Sequence, residues 1–121
     1  MSTDENIAVV RRYLQLFEQG DAQRFEEVIH DDLVAYYPDG SLAFQGGDAW
    51  IESERDRTTK DVRVTAEDIV AAGDKVACRY RIEGTRADGR RLVGSGTKIY
   101  RLRDGKIVEI AGHDHSDTFD A

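Results

Sequence analysis

Among its 121 residues the chain has one cysteine, one proline, one methionine and one tryptophan. The lone Cys78 cannot close an internal disulfide, so a packed core must hold the fold, and a reducing, cytoplasmic compartment suits it. No run approaches the ~20 apolar residues that a membrane helix needs. The opening MSTDEN likewise lacks the apolar stretch of a secretory leader. Basic residues are the minority, 17 Lys and Arg against 24 Asp and Glu, for a formal charge of -7. Nucleic acid and anionic membrane both demand basic patches, so neither is expected as a partner. Repeats, low-complexity tracts and linkers are absent too. What remains is a single expected domain over residues 1–121, long enough to bury roughly two-thirds of its unfolded surface.

What is present is punctuation. Ser2 and Glu5 form an S-x-x-E capping box, and Gly20 closes the helix Thr3–Gln19 that they open. Ile7, Val10, Leu14 and Phe17 make its apolar stripe, with Tyr13 at the edge. Asp21 can cap a second helix at Ala22–His30, whose inward face is Phe25, Val28 and Ile29. A strand at Leu33–Tyr37 is stopped by Pro38-Asp39-Gly40-Ser41. Gly46-Gly47-Asp48 introduces a short helix capped by Asp48, apolar at Ala49, Trp50 and Ile51 and charged beyond, so its end is expected to fray or lie exposed. Strands follow at Val62–Val70, Val76–Gly84, Arg91–Leu102 and Lys106–Asp114, joined by Gly-Asp and Asp-Gly turns. The polar tail Ser116–Ala121 is expected to be irregular. Helices first and a meander afterwards describe a curved sheet wrapped around its own helices, enclosing a pocket.

Side chains on a strand alternate between faces, which sorts inward from outward residues. Val76, Cys78, Tyr80 and Ile82 form one inward set, and Leu92, Gly94, Gly96, Lys98, Tyr100 and Leu102 another, which makes Lys98 an inward cation. A three-residue loop Arg103-Asp104-Gly105 with a glycine bulge would turn Val108, Ile110, Gly112 and Asp114 inward. A two-residue turn would shift the parity and send Ile107, Glu109, Ala111 and His113 inward instead.

Four segments, VVRRYLQLFEQGDAQRFEEVIHDDLVAYYPDGS, FQGGDAW, AAGDKVACRYRIEGTRADG and YRLRDGKIVEI, together resemble the nuclear transport factor 2-like superfamily. The likeness is to SnoaL-type polyketide cyclases and ketosteroid isomerases, and the matching segments run almost end to end along the chain. It implies an α+β, cystatin-like cone: a long curved, mostly antiparallel sheet around N-terminal helices, with a ligand cavity and often a homodimer through the outer sheet face. It implies no cofactor. Fold alone does not settle activity. The resemblance places an oxyanion-binding tyrosine at Tyr13, as in ketosteroid isomerases, where a tyrosine and a protonated aspartate together bind the substrate oxyanion. The isomerase's partner aspartate falls at Lys98 and its general base at Tyr37, so that reaction is not expected. The Arg-x-Asp pair of limonene-epoxide-hydrolase-like members falls at Arg79-Tyr80-Arg81, without the acid. The last-strand aspartate of the SnoaL-type cyclases points to Asp114, although the usual tryptophan is absent.

Asp114, Lys98 and Tyr13 are therefore the candidate catalytic set, with Tyr37, Trp50, Tyr80 and Tyr100 as the substrate-binding wall. An inward carboxylate in an apolar cavity is poised for proton transfer, and a lysine or tyrosine can hold an anionic oxygen. The same residues can equally make a structural Lys98–Asp114 ion pair and an ordinary core tyrosine. His113 and His115 flank Asp114 near Asp117, but no third ligand stands at convincing spacing, so no metal is expected. Arg79, Arg81, Arg90, Arg91, Arg101 and Arg103 decorate the outer face, either towards a second subunit or towards solvent. Cys78 should be inert, and Gly94 and Gly96 either open ligand space or permit a bend. The functional expectation is an acid/base enzyme for a small apolar metabolite: an isomerase, cyclase, dehydratase or hydrolase. A non-catalytic ligand-binding or dimerisation module on the same scaffold is the alternative.

Overall fold

The computed structural model describes residues 2–119, with side chains as far as Asp114. Helix α1 spans Thr3–Gln19. The Ser2 hydroxyl accepts from the Glu5 amide, the Glu5 carboxylate accepts from the Ser2 amide, and Gly20 closes the helix at φ 74°. Orphan amides and carbonyls at both ends are thus satisfied locally, and the helix stops where only glycine adopts a left-handed turn without strain. Its buried face is Asn6, Val10, Tyr13, Leu14 and Leu16.

The second expected helix is shorter and tighter. A 3₁₀ segment covers Ala22–Glu27, and β1 already begins at Ile29, running Ile29–Tyr36. Val28 and Ile29 are buried as foreseen, but through the sheet: the Ile107 amide donates to the Val28 carbonyl and Ile29 pairs with Ile107. Tertiary pairing has overridden the local helical spacing. β2 (Leu42–Gln45), which periodicity did not reveal, returns antiparallel after the Pro38–Ser41 turn and pairs Tyr36 with Leu42. Helix α2 spans Gly47–Arg55 with Gly46, not Asp48, at its N-cap. Asp48 sits in the first turn instead, where the helix dipole favours a carboxylate.

β3 (Lys60–Ala72), β4 (Lys75–Thr85), β5 (Arg91–Arg103) and β6 (Lys106–Phe119) complete one six-stranded sheet in the order β2-β1-β6-β5-β4-β3. Every neighbouring pair is antiparallel except β1 with β6. This is the curved α+β sheet folded over its helices, and it is not closed into a barrel. β6 follows β5 to Phe119, beyond the point where the sequence predicts an irregular tail. Among the described residues, no helix is long and apolar enough to cross a membrane.

The β5–β6 turn settles the parity question in an unexpected way. Arg103 pairs with Lys106, so the turn is the two-residue Asp104-Gly105, both at positive φ (54° and 77°). Such primed turns match the twist of the flanking strands. Leu102 accordingly faces Ile107, but Arg101 faces Glu109, leaving Val108 as the extra residue of a bulge. The bulge resets the alternation. Ile107 is inward before it, Val108 is buried at it, and Ile110, Gly112 and Asp114 lie opposite Tyr100, Lys98 and Gly96 after it. Both registers are therefore used, one on each side of Val108.

Candidate functional site

Inside the curve, Val10, Leu16, Phe25, Leu33, Val76, Cys78 and Ile107 form the most deeply buried part of the core. Beside this core lies a cavity of ≈ 210 Å³ between α1 and the inner face of the sheet. α1 supplies Tyr13, Leu14 and Phe17, β4 Tyr80 and Ile82, β5 Lys98 and Tyr100, and β6 Asp114. All three expected catalytic residues thus meet around one space.

Asp114 stands at the rim rather than deep inside, its side chain 61% exposed. Its Oδ2 accepts from the Tyr80 hydroxyl at 3.3 Å and lies 3.7 Å from Lys98 Nζ. Lys98 is more enclosed, at 26% side-chain exposure, with its ammonium 5.8 Å from the centre of the Tyr80 ring. Burial first, then the charge of Asp114, pushes the Tyr80 hydroxyl well above the usual tyrosine value, so it remains a donor. Gly96 is what makes this cluster fit. A Cβ there would stand 2.7 Å from the Tyr80 hydroxyl and 2.8 Å from Asp114 Cβ. The bare backbone thus leaves space that protein side chains, not a ligand, occupy.

Tyr13 is the deep member. Its ring packs against Phe25, Trp50 and Tyr100 with centroids 5.5–5.8 Å apart. Burial is also the main reason that the Tyr13 and Tyr100 hydroxyls are held well above the ordinary tyrosine value. Two members of the expected wall are elsewhere. Trp50 is buried one layer behind Tyr13, edge-on to Phe25 at 4.8 Å, and does not line the cavity. Tyr37 is 56% exposed, because β1 ends at Tyr36 and Tyr37 belongs to the turn, its amide bonded to the Ser41 carbonyl. Neither Tyr36 nor Tyr37 points inward; Leu33 and Ala35 do. Tyr80 and Tyr100 line the space as expected.

One residue escaped the sequence reading. Glu54, one helical turn after Trp50 on α2, is turned inward with only 18% of its side chain exposed. Its nearest cation is Arg57 at 3.9 Å, whose guanidinium is committed to the Phe17 carbonyl at 2.6 Å. Burial raises the Glu54 carboxyl above 4.5, opposed by Arg57 and then by Lys98. The i, i+4 spacing from Trp50 was the available signal, masked by the charged run around it.

His113 is exposed, the His115 and Asp117 side chains lie outside the described residues, and among the described residues no three His, Cys, Asp or Glu side chains gather as a metal site. The outer-face arginines are mostly paired within the chain: Arg79 with Asp68, Arg81 and Arg91 with Glu83, Arg101 with Glu109 and Arg103 with Asp32. Cys78 is buried, and burial raises its thiol, as an inert cysteine requires.

A family model for the SnoaL-like domain matches residues 10–110. No curated protein matches by sequence. Among solved structures, an LEH-like epoxide hydrolase from M. tuberculosis superposes with a TM-score of 0.80 at 21% identity, over 93% of this chain and 84% of that one. The Delta 5-3-ketosteroid isomerase of a Mycobacterium sp. gives 0.77 at 20% identity, over 93% and 98%. IdmH, a candidate polyketide cyclase from Streptomyces antibioticus, gives 0.75 at 25% identity, over 93% and 91%. At such identities the two hydrolase and isomerase likenesses speak for the fold alone.

Proposed function

Because the chain belongs to the SnoaL-like domain family, we propose that it is an acid/base enzyme acting on a compact, largely apolar metabolite that carries a carbonyl or hydroxyl group. The observation that carries this reading is the convergence of Asp114, Lys98 and Tyr13 on one cavity. The position that the resemblance assigns to the isomerase base is Tyr37, outside the cavity, so Asp114 is the carboxylate left to move a proton. Asp114 Oδ2 takes a proton from the substrate while Tyr80 holds the carboxylate in place. The charge that develops on the substrate oxygen is met by Lys98 and Tyr13, groups already oriented before reaction. At ≈ 210 Å³ the cavity is smaller than the ~300 Å³ at which drug-sized sites begin, which favours a ligand of one or two rings. Isomerisation, cyclisation and dehydration can begin from such a proton transfer, whereas hydrolysis would have Asp114 take the proton from an attacking water instead.

The test is deuterium exchange at the α-carbon of small cyclic ketones and enones in D₂O, followed by NMR. The expected result is exchange above the buffer rate for at least one compound, lowered about 100-fold or more by Asp114→Asn. Exchange indifferent to that substitution would sink the proposal and leave a non-catalytic ligand-binding module in its place.

The same reading includes a homodimer through the outer sheet face. Val70, Ala77, Ile99 and Ala111 are consecutive cross-strand partners over β3, β4, β5 and β6, an apolar row with Val70 64% and Ile99 49% exposed. Arg79–Asp68 flanks it on one side and Arg101–Glu109 on the other. A two-fold axis through the row sets apolar on apolar and lets each pair meet charges of the opposite sign.

A further inference from the structure

Four lysines are spread along the chain, and their settings differ. Lys60 and Lys75 are exposed, and Lys106 sits where β6 leaves its turn. Lys98 points from the inner face of β5 into the cavity, its side chain 26% exposed. A cation in so enclosed a place is ordinarily held by hydrogen-bond acceptors. Here the Lys98 ammonium makes no hydrogen bond among the described residues. Asp114 Oδ2 stands off at 3.7 Å and the centre of the Tyr80 ring at 5.8 Å.

The stem of the side chain is equally unconfined. Its cross-strand neighbours are Cys78 on β4 and Gly112 on β6, and Gly96 precedes it on the same face of β5. A Cβ at Gly112 would stand 2.7 Å from Lys98 Cα and 3.0 Å from Lys98 Cγ. Small neighbours on three sides leave the flexible stem free to change rotamer, so its nitrogen has a range of positions in the cavity. An ion pair that served stability alone would gain most at hydrogen-bond distance. A nucleophile instead needs a base close by and room to move, and Lys98 has both.

We propose that Lys98 is a covalent nucleophile, whose amine adds to the carbonyl carbon of a small aldehyde or ketone and forms an imine in the cavity, with Asp114 carrying the proton. Lys98 first yields a proton to Asp114 Oδ2. The neutral amine then forms the N–C bond while the carbonyl π electrons move to oxygen, and a proton passes from the nitrogen to that oxygen. Asp114 returns its proton to the new hydroxyl, the C–O bond breaks, and water leaves past the exposed rim. The sum is ammonium plus carbonyl giving iminium plus water, so one cation faces one carboxylate before and after. The Tyr80 ring lies beside that cation in either form. An iminium draws electrons from its α-carbon more strongly than a ketone does, which favours removal of an α-proton by the restored Asp114 carboxylate. That last step rests on the acid/base reading above; the imine does not.

The test is reductive trapping. Wild-type protein is incubated with cyclohexanone and sodium cyanoborohydride, which reduces imines and spares ketones, then digested and mapped by mass spectrometry. The expected result is an adduct on Lys98, heavier by the ketone less its oxygen, at least about tenfold above that on Lys60, Lys75 or Lys106. Lys98→Arg keeps the charge and should lose the adduct. Asp114→Asn, with its fold checked by circular dichroism, should slow trapping about 100-fold. Adducts spread evenly over the lysines, no adduct in the wild type, or undiminished trapping in Asp114→Asn would overturn the proposal. The wild-type map decides for or against Lys98 even where a variant fails to fold. If Lys98 is not trapped but ketones exchange deuterium through Asp114, the nucleophile fails and the acid/base reading stands. If Lys98 is trapped while no ketone exchanges, the reverse holds.

Discussion

The two faces of β4, β5 and β6 carry the same residue classes under opposite rules. Outside, Arg79–Asp68 at 2.6 Å and Arg101–Glu109 at 2.8 Å are close pairs on half-exposed side chains. Water and salt can replace either partner, so each such pair contributes little. Inside, Lys98, Tyr80 and Asp114 are fewer and longer-ranged, at 3.3–3.7 Å, yet they face a small cavity with few competing groups. There, a single added atom has nowhere to go. The comparison teaches that the inner set differs by the cavity it borders and by the enclosure of Lys98, not by the closeness of its ion pair, since Asp114 at the rim is as exposed as the outer partners.

The sharpest way to break the contrast is Gly96→Ala. Its Cβ would meet the His113 carbonyl and the Tyr80 hydroxyl, each at 2.7 Å, so a loss of about 1–3 kcal/mol in urea unfolding is expected, together with loss of exchange activity. Wild-type stability in this variant would show that the inner face is looser than described. On the outer face the expected effect is one of assembly. Ile99→Glu should turn a dimer into a monomer in sedimentation while changing the monomer's unfolding by less than about 1 kcal/mol. A wild-type chain that sediments as a monomer throughout would remove the interface.

Glu54 gives a smaller, pH-dependent effect. Burial raises its folded carboxyl above 4.5, so its contribution favours the folded state while it is protonated. That contribution is lost as pH climbs from 4.5 through the raised folded value. Wild type should therefore lose stability over that rise relative to Glu54→Gln, in unfolding series run at several pH values. Parallel curves would mean that Arg57 neutralises Glu54 fully. The smallest change belongs to Asp68→Asn, expected within about 0.5 kcal/mol at moderate salt. A loss several times larger would show that the outer pairs cooperate as a network.

Much of this was readable from local chemistry. The capping box and Gly20 mark α1 to the residue, and the alternation on β4 and β5 puts Val76, Cys78, Lys98 and Tyr100 inward as observed. These features depend on neighbours three or four residues away, or on a period of two. Ile29 was misread because its strand partner, Ile107, is 78 positions distant by their numbers. Tyr37 was placed by the position that the resemblance gives the isomerase base and Trp50 by its aromatic side chain, whereas a strand end and a second packing layer keep them off the cavity.

The sequence by itself determined the class of fold and the inward face of the central strands, Lys98 included, since caps, turns and alternation are written in short-range spacing; Tyr13 and Asp114 were named through the family resemblance. Only the tertiary structure decided how those residues meet. The bulge at Val108 restores the parity that the Asp104-Gly105 turn had shifted, and so brings Asp114 opposite Gly96 and within reach of Tyr80. The burial of Trp50 behind Tyr13 and the enclosure of Lys98 likewise arise from packing between elements far apart in the chain. No local spacing encodes them, because each depends on which atoms of other elements fill, or leave empty, the space beside a side chain.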